Sequence, residues 1–219
     1  MKKLVIFDLD GTLFDTTLSM VACGNEALEK LHLPLLTPKD YARFSGAGVE
    51  GYVHAILDAV GDKEHKYAKV FWEYYTDKNE AEQLDLIHPY EGVRELLSAL
   101  KEKGIRLAVL SNKNEEACIP TVHSFFGEEV FDVIWGDKEG FTPKPDPENV
   151  LKMMDLFSVK KEDCLYVGDT QVDMETGKNA KIDTVAALWG YREKADLAVF
   201  SPEYYAKKPL DILSLVGEK

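Results

Sequence analysis

Two carboxylates, one residue apart, directly follow a short apolar run near the start of the chain. The run Val5-Ile6-Phe7 leads into Asp8, and Asp10-Gly11 follows after one further residue. Side chains alternate between the two faces of a strand, so Asp8 and Asp10 leave its end on the same side. Two like charges this close repel each other unless a cation or a shared proton compensates them. The pair therefore indicates a metal site, phosphoryl chemistry or both.

Other metal sites fit this stretch poorly. The pattern D-x-D-G also opens the calcium loop of EF-hands, but that loop needs a glutamate at its twelfth position, where this chain has Ser19. The preceding segment is also strand-like, whereas an EF-hand loop follows an amphipathic helix. The five histidines form no H-x-x-x-H or H-E-x-x-H pair, which argues against a zinc site.

Three more polar clusters each follow an apolar run. They are Ser111-Asn112-Lys113, Lys144-Pro145 and the stretch 168–173 with Asp169 and Asp173. Taken alone, Asp169 fits a helix N-cap and Ser111 a turn residue. In an open α/β sheet, however, ligands bind at the carboxyl ends of the strands. We therefore expect all four clusters to meet in one crevice.

The residue types supply each part of a phosphoryl-transfer reaction. Asp8 can attack a phosphoryl group as a nucleophile, and Asp10 can protonate the leaving oxygen and later activate water. The carboxylates of Asp8, Asp169 and Asp173 can hold Mg²⁺, which prefers oxygen ligands.

Further groups can bind the phosphoryl oxygens. The Lys144 ammonium and the Ser111 hydroxyl can do so as negative charge builds on them. The backbone N–H groups of Leu9, Gly11 and Thr12 are further candidates, because a glycine suits a tight turn close to a ligand.

The apolar runs predict an α/β fold with a parallel sheet. Strand-like runs occur at residues 4–7, 107–110, 130–134, 165–167, 185–188 and 197–199, and helical patterns separate most of them from the second onward. The strands are apolar throughout, as in a sheet covered on both faces. About ninety residues separate the first two strands, far more than an ordinary crossover needs.

The long connection predicts an inserted, all-helical cap. Helical patterns cover 18–31, 49–60 and 67–76, with breaks at Pro34, Pro38 and 45–48. We predict a Rossmann-like core domain of residues 1–15 and 87–219 and a helical cap domain of residues 16–86. The cap would lie over the end of the first strand, where it can exclude water and contact the substrate.

Composition restricts the partners. The 219 residues carry a formal net charge of −13, which disfavours nucleic acid or an anionic membrane. No apolar stretch reaches the roughly 20 residues of a membrane span, and no signal-peptide pattern precedes the first strand. The widely spaced Cys23, Cys118 and Cys164 indicate thiols in a reducing compartment. We expect a cytoplasmic monomer or homodimer that binds a small phosphorylated metabolite and neither nucleic acid nor membrane.

The four clusters together resemble the signature motifs of the haloacid dehalogenase superfamily. The resemblance covers the whole chain and implies a Rossmann-like core with strand order 3-2-1-4-5 and a helical cap. It implies Asp8 as nucleophile, Asp10 as general acid/base, and phosphoryl binding by Ser111 and Lys144. It further implies Mg²⁺ held by the Asp8 carboxylate, the Asp10 backbone carbonyl and Asp169, with Asp173 in support.

Softer similarities point to phosphoglycolate phosphatases and related hydrolases of small phosphoesters or pyrophosphate. They include the Arg43-x-x-Gly46-x-Gly48 and Ser111-Asn112-Lys113 stretches. By this resemblance Arg43 and Asn112 are candidate substrate contacts, although Arg43 also fits a solvated charge at a helix end. The leading substrate is 2-phosphoglycolate.

Alternative activities remain open. They are pyrophosphate hydrolysis, β-phosphoglucomutase-type phosphoryl transfer and a catalytically silent phosphate-binding protein. Dehalogenases of the family lack the second aspartate, so Asp10 disfavours that activity. Phosphonatases need a lysine on the cap, for which Lys30, Lys39 and Lys63 are candidates by region only.

Overall fold

The computed structural model of the chain describes residues 1–77 and 84–217. These residues form eight strands: β1 (Leu4–Phe7), β2 (Phe14–Asp15), β3 (His88–Pro89), β4 (Arg106–Asn114), β5 (Val133–Asp137), β6 (Cys164–Gly168), β7 (Asp183–Ala187) and β8 (Tyr204–Ala206). They also form nine α-helices: α1 (Thr17–Lys30), α2 (Pro38–Phe44), α3 (Gly48–Ala59), α4 (Ala68–Asp77), α5 (Val93–Glu102), α6 (Glu115–Phe126), α7 (Glu148–Leu156), α8 (Gln171–Ala180) and α9 (Lys194–Ala198).

Six parallel strands form the main sheet, in the order β5-β4-β1-β6-β7-β8. Counted along the chain, the first five strands of this sheet have the order 3-2-1-4-5, and β8 extends it by one strand. The predicted α/β fold with a parallel, Rossmann-like sheet is confirmed. Because all six strands point the same way, their carboxyl ends lie along one edge.

Both faces of the sheet are covered, which explains why its strands are apolar throughout. Along β1, Val5 and Phe7 pack into one hydrophobic cluster, and Leu4 and Ile6 pack into another on the opposite face. All four side chains are almost completely buried. This alternation follows the two-residue period of a strand. It determines on which side of the sheet the chain leaves β1 toward Asp8.

Helices α1–α4 form a segment with a hydrophobic cluster of its own, which includes Tyr41, Ile56 and Phe71. The chain enters this segment after β2 and leaves it at β3, and these two strands form a separate two-stranded sheet. These two short strands pair antiparallel, with Phe14 opposite Pro89 and Asp15 opposite His88. The predicted domain boundaries stay predictions, and residues 78–83 of the predicted cap lie outside the described part of the chain.

Helix α2 corrects the predicted break at Pro38. Proline is tolerated at the first position of a helix, where its missing N–H leaves no bond unmade. Thr37 caps this helix, and its hydroxyl and the Asp40 carboxylate exchange bonds with each other's backbone N–H groups. Here the proline therefore begins a helix, where the sequence predicts a break.

The predicted strand at 197–199 was wrong. Residues Lys194–Ala198 form helix α9, which begins with a capping box between Glu193 and Asp196. An apolar run of three residues cannot distinguish a strand from one face of a helix. The last strand of the sheet is β8, whose Ala206 pairs with Ala187 of β7.

Within the described ranges, none of the helices combines the length and the apolar character that crossing a bilayer would require.

Candidate active site

Four segments meet at the carboxyl edge of the sheet. Asp8 directly follows β1, and its N–H still bonds to the Val167 carbonyl of β6. Ser111 lies near the end of β4, Lys144 in the loop after β5, and Asp169 directly after β6. All four of these residues are buried. The structure therefore brings together the four clusters that the sequence singled out.

The Lys144 ammonium lies between two carboxylates. Its Nζ atom is 2.7 Å from Asp8 Oδ1 and 2.8 Å from Asp173 Oδ1. The three side chains are 3%, 6% and 0% exposed for Lys144, Asp8 and Asp173, so water screens these charges little. Asn112 fixes the Lys144 backbone, because its amide accepts from the Lys144 N–H and donates to the Lys144 carbonyl.

Asp173 already accepts four hydrogen bonds from the protein. Lys144 Nζ and the Tyr166 hydroxyl donate to Oδ1, and the N–H and hydroxyl of Thr170 donate to Oδ2. Thr170 and Asp173 thereby form the capping box that begins α8. A carboxylate offers about four lone-pair sites, so Asp173 is better placed to hold Lys144 than to bind a cation directly.

Asp169 is held by two donors from different loops. The Thr12 hydroxyl donates to its Oδ1 over 3.0 Å, and the Tyr191 N–H donates to its Oδ2 over 2.8 Å. Glycines allow the surrounding backbone to approach. A Cβ atom on Gly11 would lie 2.3 Å from Asp169 Oδ2, and one on Gly190 would lie 2.3 Å from the Gly11 carbonyl oxygen.

Burial and repulsion dominate the electrostatics of the acids. Burial, reinforced by the charge of Asp173, raises the pKa of Asp169 to about 7 and raises that of Asp8 well above its usual range. Burial also acts to raise the pKa of Asp173, but Lys144 and Thr170 outweigh it and lower that pKa. Burial disfavours the Lys144 ammonium, yet Asp173 and Asp8 raise its pKa well above the usual value.

A divalent cation fits this cluster. One carboxylate oxygen from each of Asp8, Asp169 and Asp173 lies within 4.8 Å of the others. Asp8, Asp169 and Asp173 are all buried, and Lys144 is the ammonium that contacts Asp8 and Asp173 among the described residues, so the carboxyl groups outnumber it. Hard cations such as Mg²⁺ prefer oxygen ligands, and the saturation of Asp173 leaves Asp8 and Asp169 as the carboxylates best able to bind one directly.

The Asp10 carboxylate is not one of the three that lie within 4.8 Å of one another, and it contacts a different lysine. Its Oδ1 atom is 3.4 Å from Lys113 Nζ, and its side chain is 16% exposed toward a cavity. The metal contact implied for Asp10 involves its backbone carbonyl and stays a prediction. Lys113 belongs to the Ser111-Asn112-Lys113 stretch, whose pattern predicts no role for the lysine.

The turn after Asp10 uses two of the N–H groups that were predicted to bind a ligand. The Gly11 N–H donates to the Phe14 carbonyl, and the Thr12 N–H donates to the Leu9 carbonyl over 3.3 Å. The Leu9 side chain is fully buried in the sheet core. The Trp189 indole also donates to the Thr12 carbonyl, which ties the turn to the segment after β7.

The cavity lies between the sheet edge and the helical segment and has a volume of about 550 Å³. Asp8, Asp10, Ser111, Asn112 and Lys144 line it from the sheet. The proposed roles of these residues stay predictions.

Arg43 does not reach this cavity. Its side chain is exposed near the end of α2, and the nearest residue along the chain that lines the cavity is Ser45, two positions later. Its proposed contact with substrate therefore stays a prediction without support from the cavity. The phosphonatase candidates Lys30, Lys39 and Lys63 are also absent from the lining formed by the described residues.

Arg192 joins the sheet to the helical segment, a contact that no sequence pattern indicates. Its guanidinium donates to the backbone carbonyls of Ala42, Arg43 and Ser45 at distances of 2.8, 2.8 and 2.9 Å. Its Nε–H also donates to Gln171 Oε1 over 3.2 Å. The carbonyls at a helix C-terminus have no intrahelical partner, so Arg192 satisfies the end of α2 and holds it near Asp169.

Comparisons with known proteins show the family of the chain. The family model for haloacid dehalogenase-like hydrolases matches residues 5–187. A phosphoglycolate phosphatase of Aquifex aeolicus is 33% identical over 98% of this chain and 96% of its own length. The pyrophosphatase PpaX of Halalkalibacterium halodurans is 30% identical over 98% of this chain and 97% of its own length.

Structural comparison gives the same grouping. The solved structure of a predicted phosphoglycolate phosphatase from Haemophilus somnus superposes with a TM-score of 0.87 at 27% identity, covering 99% of this chain and 98% of that one. These similarities extend over the sheet and the helical segment alike. The chain therefore belongs to the haloacid dehalogenase-like hydrolases and, within them, to the phosphatases that resemble phosphoglycolate phosphatase.

Proposed function

We propose that the protein is a Mg²⁺-dependent phosphatase that hydrolyses a small phosphorylated metabolite through an aspartyl-phosphate intermediate. The observation that carries the proposal is the buried cluster of Asp8, Asp169 and Asp173, in which Lys144 contacts Asp8 and Asp173. Burying several carboxylates together lowers the stability of the fold unless a cation compensates their charge, and such clusters often mark functional sites. Family membership supports the same chemistry.

The first half-reaction transfers the phosphoryl group to the enzyme. An Asp8 oxygen attacks phosphorus, and the bond from phosphorus to the ester oxygen breaks. Asp10, as a carboxylic acid, gives its proton to that oxygen, so the leaving group departs as an alcohol. Lys144 and Ser111 stabilise the charge on the phosphoryl oxygens.

The second half-reaction regenerates the enzyme. Water attacks phosphorus, the Asp10 carboxylate accepts its proton, and the bond from Asp8 to phosphorus breaks to release inorganic phosphate. Bound Mg²⁺ supplies neutralisation of the clustered carboxylates and of the charge on the transferred group. Asp8 and Asp169 would hold it, with Asp173 keeping Lys144 in place.

Two relatives suggest the first substrates to test. The names of the Aquifex and Halalkalibacterium proteins point to 2-phosphoglycolate and pyrophosphate, respectively. A β-phosphoglucomutase-type reaction would use the same acids but return the phosphoryl group to a sugar. A silent phosphate-binding protein is disfavoured, because Asp8, Lys144 and Asp169 are all present.

The test is a phosphate-release screen with and without Mg²⁺. The panel contains 2-phosphoglycolate, pyrophosphate, nucleoside monophosphates, sugar phosphates and an aryl phosphate. We expect Mg²⁺-dependent phosphate release that chelation with EDTA removes and added Mg²⁺ restores. Conversion of a sugar 1-phosphate into its isomer without phosphate release would favour the mutase, and no release from any compound would contradict the proposal.

A further inference from the structure

The wall of the cavity that faces the sheet edge carries no charge among the described residues. It comes from the helical segment and combines apolar, aromatic and hydroxyl groups. Its members are Met20, Ser45, Gly46, Gly48, Val49, Tyr52, Trp72, Tyr75 and Thr76. A leaving group that extends from the phosphoryl site into this space meets neutral surface.

The charged residues of the lining lie on the sheet side, and its lysines contact carboxyl groups of the protein. Lys144 contacts Asp8 and Asp173, and Lys113 lies beside Asp10. Glu116 adds a further negative charge to the lining. A phosphoryl dianion would bind at Lys144 and Mg²⁺. A second anionic group on the substrate would then be buried without a cation to pair with among the described lining residues, apart from Lys113 beside Asp10.

Three aromatic rings give the neutral wall its shape. The rings of Trp72 and Tyr75 stack at 5.1 Å with 13° between their planes. Tyr52 meets Tyr75 edge to face, with ring centroids 5.9 Å apart. Aromatic faces bind flat, apolar groups, and the Tyr52 and Tyr75 hydroxyls lie 3.5 Å apart, within hydrogen-bond distance of each other.

The size of the cavity agrees with a bulkier leaving group. Its volume of about 550 Å³ falls inside the roughly 300–1,000 Å³ range of pockets that bind drug-sized ligands. The two-carbon leaving group of 2-phosphoglycolate would leave much of the aromatic wall uncovered.

We propose that the preferred substrates are phosphate monoesters whose leaving group is uncharged and carries an apolar or aromatic surface. This inference rests on the proposed phosphatase function and narrows its substrate class. It separates the chain from the activities named for its relatives, whose leaving groups are a carboxylate-bearing acid and a second phosphate.

Two matched substrate pairs test the inference. Benzyl phosphate is compared with 4-carboxybenzyl phosphate, and 2-hydroxyethyl phosphate with 2-phosphoglycolate. Within each pair only the charge of the leaving group changes substantially. We expect kcat/KM to be at least about 10-fold higher for the neutral member, since the carboxylate would be desolvated without a partner.

Variants on the neutral wall test which surface is responsible. Trp72→Ala is expected to lower the ratio of kcat/KM for benzyl phosphate to that for acetyl phosphate by about 5-fold or more. Tyr74→Ala is the matched control on the same helix, since Tyr74 packs under Lys30 and lies outside the lining. The control should leave the ratio unchanged, and Trp72→Phe should fall between the two.

A charge-introducing variant provides a gain of function that destabilisation cannot mimic. Val49→Lys places a cation on the neutral wall and should shift preference toward 2-phosphoglycolate over 2-hydroxyethyl phosphate. Val70→Lys, at an exposed position outside the lining, is its control and should leave the preference unchanged.

The outcomes separate the inference from the function beneath it. Mg²⁺-dependent hydrolysis that is equal or faster for the carboxylate-bearing members would overturn the substrate class and leave the phosphatase function standing. Absence of phosphate release from both members of both pairs, and from acetyl phosphate, would overturn both.

Discussion

The Lys144 ammonium lies 2.7 Å from Asp8 Oδ1, and both side chains are almost fully buried. The same ammonium bonds to Asp173, so it bridges two of the three buried acids that lie together at the carboxyl edge of the sheet. Removing one partner of a buried ion pair leaves charge without compensation. Lys144 should therefore matter for stability as well as for activity.

We predict that Lys144→Ala lowers the free energy of unfolding by about 3–5 kcal/mol in Mg²⁺-free buffer. Saturating Mg²⁺ should recover part of that loss, because a cation relieves the repulsion among the remaining acids. The activity should fall by at least about 10²-fold. Urea unfolding with and without Mg²⁺ measures the first effect and steady-state kinetics the second.

The control for this variant is Lys152→Ala, which removes a half-exposed ion pair with Glu148. Its expected effect on stability is small and independent of Mg²⁺, because water screens an exposed ion pair. If both lysine variants lose the same stability, the Lys144 cluster is not the charged centre described above.

Asp10→Asn should slow substrates in proportion to how much their leaving oxygen needs a proton. For an alkyl phosphate we expect kcat/KM to fall by about 10²–10⁴-fold, the usual contribution of a general acid. For 4-nitrophenyl phosphate, whose leaving group departs without protonation, the fall in kcat/KM should be much smaller. A uniform loss across both substrates would show that Asp10 does not act as the acid.

Gly190→Ala should disrupt the position of Asp169. The added Cβ would lie 2.3 Å from the Gly11 carbonyl oxygen and 2.4 Å from Asp169 Cβ, so the two loops must separate. We expect weaker stabilisation by Mg²⁺, measured as a smaller rise in Tm. Gly104→Ala is a control for the loss of a glycine, since a Cβ there meets no atom within 4 Å, although its positive φ carries its own cost.

Arg192→Ala should loosen the end of α2 from the sheet. Three backbone carbonyls lose their donors, and bonds to a charged group contribute about 1.5–3 kcal/mol each. Because Ser45 lines the cavity, we expect KM to rise by about 10-fold, with a smaller change in kcat. Faster amide hydrogen exchange around residues 42–46 would accompany it.

Arg106→Ala provides the comparison for that variant. Arg106 pairs with Asp132 and lies outside the residues that line the cavity. It should leave KM and the exchange rates near residue 45 unchanged. Equal effects of the two arginine variants would contradict the role assigned to Arg192.

The sequence predicted the sheet edge better than its surroundings, for a physical reason. Asp8 and Asp169 follow fully apolar strands, and parallel strands bring their carboxyl ends together regardless of what lies between them. Pro38 predicts a break because a proline interrupts a helix interior, yet a proline can also begin a helix, as it does in α2. Tyr166 lies within an apolar strand, and no sequence pattern predicts that its hydroxyl contacts Asp173.

Sequence patterns could not predict contacts between loops that are far apart in the chain. Arg192 is 147 residues from Ser45, and no periodicity links the two. The capping box of Thr170 and Asp173 was readable from their spacing, but the sharing of Asp173 with Lys144 was not, because it depends on the fold. Such contacts determine how the acids are held, whereas the motifs reveal only that they are present.

The most direct measurement of the central claim is the site of phosphorylation. Enzyme mixed with Mg²⁺ and an aryl phosphate is quenched in acid during turnover, digested and analysed by mass spectrometry, with Asp8→Asn in parallel. We predict phosphate on Asp8 in the unmodified protein, and neither phosphate on the variant nor turnover by it. Phosphate on another residue, or full activity of Asp8→Asn, would contradict the account.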